Sequence, residues 1–187
     1  ITTGTQIFMD KNLVVVTYRN GDVIPQVADQ TAWESLTTGA WCHYNNDPAN
    51  DTIYGKLYNW YAVNDPRGLA PQGWHIPTVA EWTCFSISLG GEFVAGGKMK
   101  TTGTSRWKSP NTGATNESRF AGLPGGYRCG KNSCGGFGLI GDGGYWWSTS
   151  EKGSEYALHR GLISASASLA SSYAGKGAGF SVRCLRD

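Results

Sequence analysis

No apolar stretch of this sequence is long enough to cross a bilayer as a helix, and charged residues make up only 16% of the chain. A membrane-spanning helix needs about 20 consecutive apolar residues, so we expect no direct membrane insertion of this domain. The formal net charge is only +2. A chain so close to neutral has no strong electrostatic attraction for nucleic acid or for an anionic membrane, so neither is expected as its main partner.

Catalytic and metal-binding patterns are also missing. No Ser/His/Asp order and no paired-carboxylate constellation stands out, so we expect neither an enzyme nor a cofactor. The polar loop Asn45–Asp51 gathers oxygens of the kind that calcium prefers, but it lacks the alternation and terminal Glu of an EF-hand. Such residues are more typical of plain turns. His43 and His75 are likewise expected to be ordinary packed or exposed side chains and not metal ligands, and no metal site is predicted.

The five cysteines contain one pair that is close in sequence. Cys129 and Cys134 flank a four-residue loop that contains glycine, and no second Cys/His pair with zinc spacing accompanies them. In an oxidising compartment such a pair forms a disulfide, which is our prediction here. Cys84 is expected on the solvent side of a helix, and Cys42 and Cys184 have no assignable partner.

Glycine and tryptophan are abundant, with 27 and 8 residues among 187. Many glycines indicate many turns, and indole rings need packing partners or ligands. This composition favours a loop-rich α+β or mostly β architecture. The length is that of one domain with a substantial core, so residues 1–187 are taken as a single domain.

The firmest local prediction is a helix from Thr78 to Leu89. Thr78 is a good N-cap, and Glu81 three residues later completes a capping box. Trp82 and Phe85 then recur with Leu89 at helical spacing before two glycines end the helix.

Weaker patterns predict the other elements. Asp29 is expected to cap a short helix over Ala32–Leu36, and the region from Gly90 to Gly144 is expected to be mainly loops and short strands. Trp146 and Trp147 should face opposite sides of a strand, one in the core and the other at a ligand surface. Strands are predicted at Thr5–Phe8, Leu13–Tyr18, Tyr145–Ser148 and Gly179–Cys184, whereas Tyr54–Val63 suits either a helix or a strand.

The segment GWHIPTVAEW (Gly73–Trp82) resembles the signature of the Fibrobacter succinogenes major paralogous domain family. It is also similar to a segment of the formylglycine-generating-enzyme superfamily. The resemblance implies a C-type-lectin-like fold, with short helices around small antiparallel sheets and long ordered loops, and it favours a helix at Tyr54–Val63. It continues through Gly55–Asp65, Gly96–Arg128, Gly144–Ser148 and Gly179–Asp187.

Family members of this kind include the variable proteins of diversity-generating retroelements. In those proteins a C-terminal segment, here residues 145–187, is rewritten at template adenines, and asparagine codons are the usual targets. Such rewriting cannot yield Lys, Glu, Gln, Met or Trp. Tyr156–Ala178 contains no Asn and, apart from Lys176, none of those types. The resemblance therefore implies a variable ligand-binding face within this segment.

Side chains alternate across a strand, so one set of residues can vary while the other packs. The expected scaffold residues are Ala157, Arg160, Leu162, Leu169 and Lys176. The expected ligand contacts, on one solvent-exposed face, are Tyr156, Leu158, His159, Gly161, Ile163, Ser164, Ala165, Ser166, Ser168, Ser171, Ser172, Tyr173, Ala174, Gly177 and Ala178.

The resemblance implies a ligand-binding domain for adhesion or receptor recognition, located outside the cell or on its surface. Its partner would be a protein or glycan on another cell or surface, and any export signal or anchor would lie outside this sequence. A carbohydrate-binding module is the alternative, although the calcium-lectin triplets EPN and QPD are absent. A formylglycine-generating-type oxidase is less favoured, because it uses a cysteine pair where this chain has only Cys184.

Overall fold

The computed structural model of the protein describes residues 2–3, 6–131 and 134–187. The architecture is α+β, as expected, with short helices and several small sheets. The helices are α1 (Gln30–Glu34), α2 (Asp51–Tyr54), α3 (Trp60–Val63), α4 (Val79–Ser88) and α5 (Glu92–Met99), with 3-10 turns at Tyr44–Asn46 and Pro48–Asn50. The strands are β1 (Thr2–Thr3), β2 (Gln6–Ile7), β3 (Trp41–Cys42), β4 (Leu57–Tyr58), β5 (Trp74–His75), β6 (Gly125–Arg128), β7 (Phe137–Ile140), β8 (Gly143–Lys152), β9 (Tyr156–Ile163), β10 (Ala170–Gly175) and β11 (Leu185–Arg186).

A five-stranded sheet in the order β10-β9-β8-β6-β7 forms the centre of the fold. Its pairs are antiparallel except for β6 and β8, which run parallel through Gly126 and Gly144. Two-stranded sheets join β1 to β2, β3 to β4 and β5 to β11. Because β10 lies at the edge of the large sheet, the C-terminal hairpin β9–β10 forms one side of the molecule.

Both tryptophans of β8 are fully buried, so the expectation that one of them lines a ligand surface is wrong. The indole N–H of Trp146 donates to the side-chain oxygen of Asn12 at 2.8 Å, and that of Trp147 donates to the Tyr58 carbonyl at 2.9 Å. They do face opposite sides of the strand, but core packs on each side. This is possible because β8 lies in the middle of the sheet and is covered on both faces.

The capping box of α4 is confirmed. The Glu81 amide donates to the Thr78 hydroxyl at 3.2 Å, and the Thr78 amide donates to the Glu81 carboxylate at 2.8 Å. Asp29 likewise caps α1 by accepting from the Ala32 amide at 2.8 Å. Both caps use contacts within three residues, which is why the sequence pattern located them.

Helix α5 was missed, because Glu92–Met99 contains two interior glycines and glycine disfavours helix. Both glycines, Gly96 and Gly97, are buried. A Cβ atom on Gly96 would lie 2.2 Å from the Ser168 carbonyl oxygen, and one on Gly97 would lie 2.3 Å from the Gly113 carbonyl oxygen. The glycines are needed because neighbouring backbone packs directly on this helix.

Three strand and helix predictions need correction. Tyr54–Val63 is neither one helix nor one strand: Gly55 at φ +75° ends α2, β4 follows, and Asn59 caps α3. Leu13–Tyr18 is not a strand, because its backbone bonds go singly to separate segments. The predicted strand Gly179–Cys184 is reduced to isolated bridges before β11. At Thr5–Phe8, β2 and a bridge at Phe8 are present, and Thr5 lies outside the described residues.

Candidate ligand-binding surface

The hairpin β9–β10 carries most of the predicted contact residues. Its register pairs Leu158 with Tyr173 and His159 with Ser172. Directly paired residues share a face of the sheet and neighbouring ones alternate. The register therefore assigns each residue of the hairpin to one of its two faces. The tip of the hairpin, defined here as residues 163–169, connects the two strands.

All five predicted scaffold residues are buried, with 8% or less of each exposed. Leu162 and Leu169 pack in an aromatic cluster with Trp82 and Phe120. The Arg160 guanidinium donates to the Glu92 carboxylate at 2.5 Å and also to the Thr83 hydroxyl. The predicted burial of these scaffold residues is thus confirmed.

The predicted contact residues do not form one exposed face. Exposed positions are Tyr156, Ile163, Ala165, Ser171, Ser172 and Tyr173, and half-buried ones are Leu158, Ser166, Ser168, Ala174 and Gly177. His159, Gly161, Ser164 and Ala178 are buried, which corrects the expectation for them. The reason is that β9 lies between β8 and β10 and has packing on both of its faces over much of its length.

The two faces of the hairpin offer different surfaces. On one, the rings of Tyr156 and Tyr173 meet edge to face with centroids 5.6 Å apart, and the Lys152 ammonium lies 3.7 Å above the Tyr173 ring. On the other, His159 and Ala174 line a groove, which Tyr156 also borders. The hairpin therefore presents an exposed tyrosine pair on one side and a concave surface on the other.

Lys100 holds the tip of the hairpin through main-chain atoms. Its ammonium donates to the carbonyls of Ile163 at 3.0 Å, Ser164 at 3.4 Å and Ser166 at 2.8 Å. Burial lowers the pKa of Lys100 to about 8. A buried ammonium needs such acceptors, and carbonyls are present whatever the side chains of the tip are.

Helix α5 holds the same tip by a second set of main-chain contacts. The Gly97 amide donates to the Ala167 carbonyl, and the Leu169 amide donates to the Glu92 carbonyl, both at 2.8 Å. The Thr112 amide donates to the Ser164 carbonyl at 2.7 Å. The path of residues 163–169 is therefore set largely by backbone contacts with residues outside the hairpin.

The groove has a volume of about 1020 Å³ and a floor of aromatic rings, so we call it the aromatic groove. Tyr145 stacks on Phe180 with centroids 5.5 Å apart, Tyr127 meets Tyr145 edge to face at 5.6 Å, and His159 lies 4.7 Å from Phe180. Of these rings, only His159 was predicted from the sequence to contact a ligand. The others come from distant segments that no sequence pattern brings together.

Among the rings of the groove floor, His159 has a pKa far from its ordinary value. It is 7% exposed, and its Nδ1 atom is buried without a hydrogen-bond partner among the residues that the structure describes. Burial lowers the pKa of His159 to about 4, since desolvation disfavours the cation. The imidazole is therefore neutral at pH 7, and one of its nitrogens can accept a hydrogen bond.

The predicted disulfide between Cys129 and Cys134 is confirmed, with Cα atoms 5.5 Å apart, and both cysteines border the groove. The other three cysteines are free: Cys84 is exposed, whereas Cys42 and Cys184 are buried. Burial raises the pKa of Cys42 to about 11 and that of Cys184 to about 12. Because only a thiolate is a good nucleophile, neither buried thiol is poised to react at neutral pH.

The polar loop Asn45–Asp51, which runs into the first residue of α2, uses its carboxylates internally. Asp47 accepts from the Ala49 amide at 2.9 Å, and Asp51 contacts both His43 and Lys56. Within the described ranges, no three His, Cys, Asp or Glu side chains are grouped so that they could hold a metal ion. Likewise, none of the helices found there has the length and apolar character needed to cross a membrane.

Comparison with known proteins identifies one relationship. The profile of the Fibrobacter succinogenes major domain matches residues 1–186, which is nearly the entire chain. Searches of curated proteins and of solved structures returned no match.

Proposed function

Because the chain belongs to the Fibrobacter succinogenes major domain family, we propose that it is a surface-exposed ligand-binding domain for adhesion or receptor recognition. In this proposal it has a C-type-lectin-like fold and is the variable protein of a diversity-generating retroelement. Its hairpin β9–β10 carries the hypervariable ligand contacts. The ligand is a protein or glycan on another cell or surface, and the domain has no catalytic role.

The observation that carries this proposal is the main-chain support of the hairpin tip. Lys100 binds three carbonyls of the tip, and α5 adds backbone contacts from Gly97 and Glu92. A surface that must accept many side chains needs a backbone whose path does not depend on them. Loops on a rigid scaffold are the usual place for binding residues.

The chemistry of the exposed positions also supports the proposal. They combine two tyrosines with serine, alanine and isoleucine. Antibody paratopes likewise combine rigid aromatic anchors with small, adaptable polar residues. Placement outside the cell agrees with the disulfide between Cys129 and Cys134.

The test compares two libraries built on this chain. One randomises five exposed hairpin positions (Ile163, Ala165, Ser171, Ser172 and Tyr173), and the matched control randomises the five scaffold residues. We expect most members of the first library to stay folded, as judged by protease resistance on a display surface, and most of the second to unfold. We also expect selection of the first library against a panel of surface proteins and glycans to yield binders.

Equal loss of folding in the two libraries would contradict the proposal, as would failure to select any binder from the folded members. The surrounding DNA gives an independent check. The proposal requires a nearby reverse transcriptase and a near-copy of the segment encoding residues 145–187 that differs at adenines.

A further inference from the structure

Strand β10 forms one edge of the five-stranded sheet, and β9 is its only neighbour in the described part of the chain. Its pairing with β9 runs from Ala170 to Gly175 without a shift in register. The first four residues of β10 are exposed and the last two are half-buried. A regular, exposed edge strand presents backbone N–H and C=O groups on its open side, and these groups can pair with a strand of another chain.

The hydrogen bonds of the hairpin show which backbone groups of β10 point outwards. The Lys176 amide donates to the Glu155 carbonyl at 2.9 Å, in the register of the β9–β10 ladder. Hydrogen-bonded pairs alternate along an antiparallel ladder, so every second residue counted back from Lys176 also bonds to β9. The intervening residues Ser171 and Tyr173 therefore direct their N–H and C=O groups away from β9, towards the open side of the strand.

Hydrogen bonds to other segments limit the open side at both ends. Before it, the Leu169 amide donates to the Glu92 carbonyl at 2.8 Å, and after it the Gly175 carbonyl accepts from the Ala178 amide at 2.9 Å. Both bonds use groups that the alternation also directs outwards. Between these two bonds, the outward groups of β10 have no hydrogen-bond partner among the residues described. The open side therefore offers a short row of free donors and acceptors.

The opposite edge of the same sheet is less suited to pairing. Strand β7 has only four residues, and Leu139 within it has φ +59°, which lies outside the extended region. Proteins usually protect an exposed edge with charged residues, proline, a bulge or a short strand. Strand β10 contains no charged residue and no proline. Its edge therefore lacks the features that normally prevent pairing with another chain.

An extended polypeptide is the ligand that matches this edge. Successive outward residues of a strand present a donor and an acceptor about every 7 Å, and the backbone of another strand repeats the complementary groups at the same distance. A glycan carries hydroxyl groups without such a repeat. A second copy of this chain fits less well, because the Lys152 ammonium lies 3.7 Å above the Tyr173 ring. Two-fold pairing through β10 would place both ammonium groups on the same face of the joined sheet.

We propose that β10 binds an extended segment of a partner protein as a further strand of the sheet. This inference rests on the proposed function and names its ligand as a polypeptide, not a glycan. In strand addition the main-chain hydrogen bonds supply affinity, and side chains that alternate along the strand supply specificity. Ser171 and Tyr173 belong to the variable segment. Rewriting them would change which sequence is bound and leave the backbone groups that bind it in place.

The first experiment selects binders from a phage-displayed library of short linear peptides, with the whole protein as the target. The selected peptide is then resynthesised with one backbone amide methylated at a time, which removes a donor and keeps every side chain. We expect the affinity to fall about two- to tenfold at alternate positions, as for the loss of one hydrogen bond, and to change little at the positions between them. Failure to select a peptide, or losses of affinity that do not alternate, would overturn the proposal.

The second experiment changes the protein, with the selected peptide as the probe. Ser171→Pro removes an outward N–H group and keeps the ladder to β9, and an edge strand tolerates proline where its N–H faces outwards. Ser171→Ala is the matched control, because it removes the same hydroxyl group and keeps the N–H. We expect the Ser171→Pro variant to bind about two- to tenfold more weakly than the Ser171→Ala variant. Equal affinities of the two variants would overturn the proposal.

Melting temperatures verify that each variant is folded, and hydrogen exchange of the wild type gives a measurement that needs no variant. The bound peptide should slow exchange of the Ser171 and Tyr173 amides, because these amides gain a partner. The Ser172 amide already bonds to β9 and should change little. Unchanged exchange at Ser171 and Tyr173 in the complex would refute strand addition even if Ser171→Pro does not fold.

The proposed function and the strand addition can fail separately. Successful selection from the hairpin library, together with losses of peptide affinity that do not alternate, would remove strand addition and leave the proposed function intact. Failure of that library, with an alternating pattern in the peptide, would do the reverse. Sedimentation of the free protein tests for self-pairing, and we expect a monomer. A wild-type dimer that Ser171→Pro dissociates would identify a second copy as the occupant and overturn the proposal.

Discussion

Replacing Gly96 by alanine tests the main-chain support of the hairpin most directly. Gly96 is a buried residue inside α5, and an added Cβ would lie 2.2 Å from the Ser168 carbonyl oxygen and 2.8 Å from that of Ala167. Real side chains do not approach backbone so closely, so either the helix or the tip of the hairpin must move.

Two effects of opposite sign decide the result. Alanine in place of an interior helical glycine normally stabilises by about 1 kcal/mol. Overpacking a close contact costs about 1–3 kcal/mol. Moving the tip also weakens bonds such as Gly97 N–H to the Ala167 carbonyl, each contributing about 0.5–1.5 kcal/mol. We therefore expect Gly96→Ala to lower the free energy of unfolding by about 1–3 kcal/mol, since the steric effect exceeds the gain in helix propensity.

Urea and thermal denaturation measure this change. For a chain of this size, a loss of 1 kcal/mol lowers the melting temperature by about 2–4 °C. Val94→Ala is the matched control, because Val94 lies on the exposed side of the same helix and its replacement by alanine creates no close contact. The control should be neutral or slightly stabilising. A Gly96→Ala variant as stable as the wild type, or more stable, would refute the close backbone packing on which the argument depends.

Three further predictions concern other parts of the fold. Lys100→Met should destabilise the protein by about 1–3 kcal/mol, because three carbonyls lose a charged donor. Hydrogen exchange of the backbone amides should become faster only at the tip of the hairpin. Unchanged exchange there would contradict the role of Lys100 in holding the tip. Burial alone would lower the pKa of His75, but hydrogen bonds from its ring to two carboxylates outweigh burial and raise it. The stabilisation that these hydrogen bonds of His75 give the folded state is therefore complete below the unfolded pKa of about 6.5 and is lost as the pH rises through the pKa of the folded state. We expect His75→Gln to lower the free energy of unfolding more in acid than in alkali. Denaturation curves showing the opposite order would contradict this. Leu162→Ala should cost about 2–5 kcal/mol, as replacements of buried leucines do. Tyr173→Ala, at a 49% exposed position, should change stability by about 1 kcal/mol or less. A larger loss of melting temperature for Tyr173→Ala than for Leu162→Ala would show that the faces of the hairpin are misassigned.

Local features of this protein could be predicted from its sequence because their causes lie within a few residues. The capping box of Thr78 and Glu81 and the Cys129–Cys134 disulfide join residues close in the chain. The burial of Leu162 and Leu169 was predicted from the alternation of side chains across a strand, which is a local property of the sequence. The abundance of glycine and tryptophan left an α+β and a mostly β architecture open, and the family resemblance favoured α+β.

Only the tertiary structure decided the rest, because the causes are contacts between distant segments. Helix α5 forms despite Gly96 and Gly97, since backbone from two other regions packs against them. His159 is buried because rings from β8 and the C-terminal segment close around it. The aromatic groove combines residues between Glu34 and Phe180, a separation over which sequence periodicity carries no information.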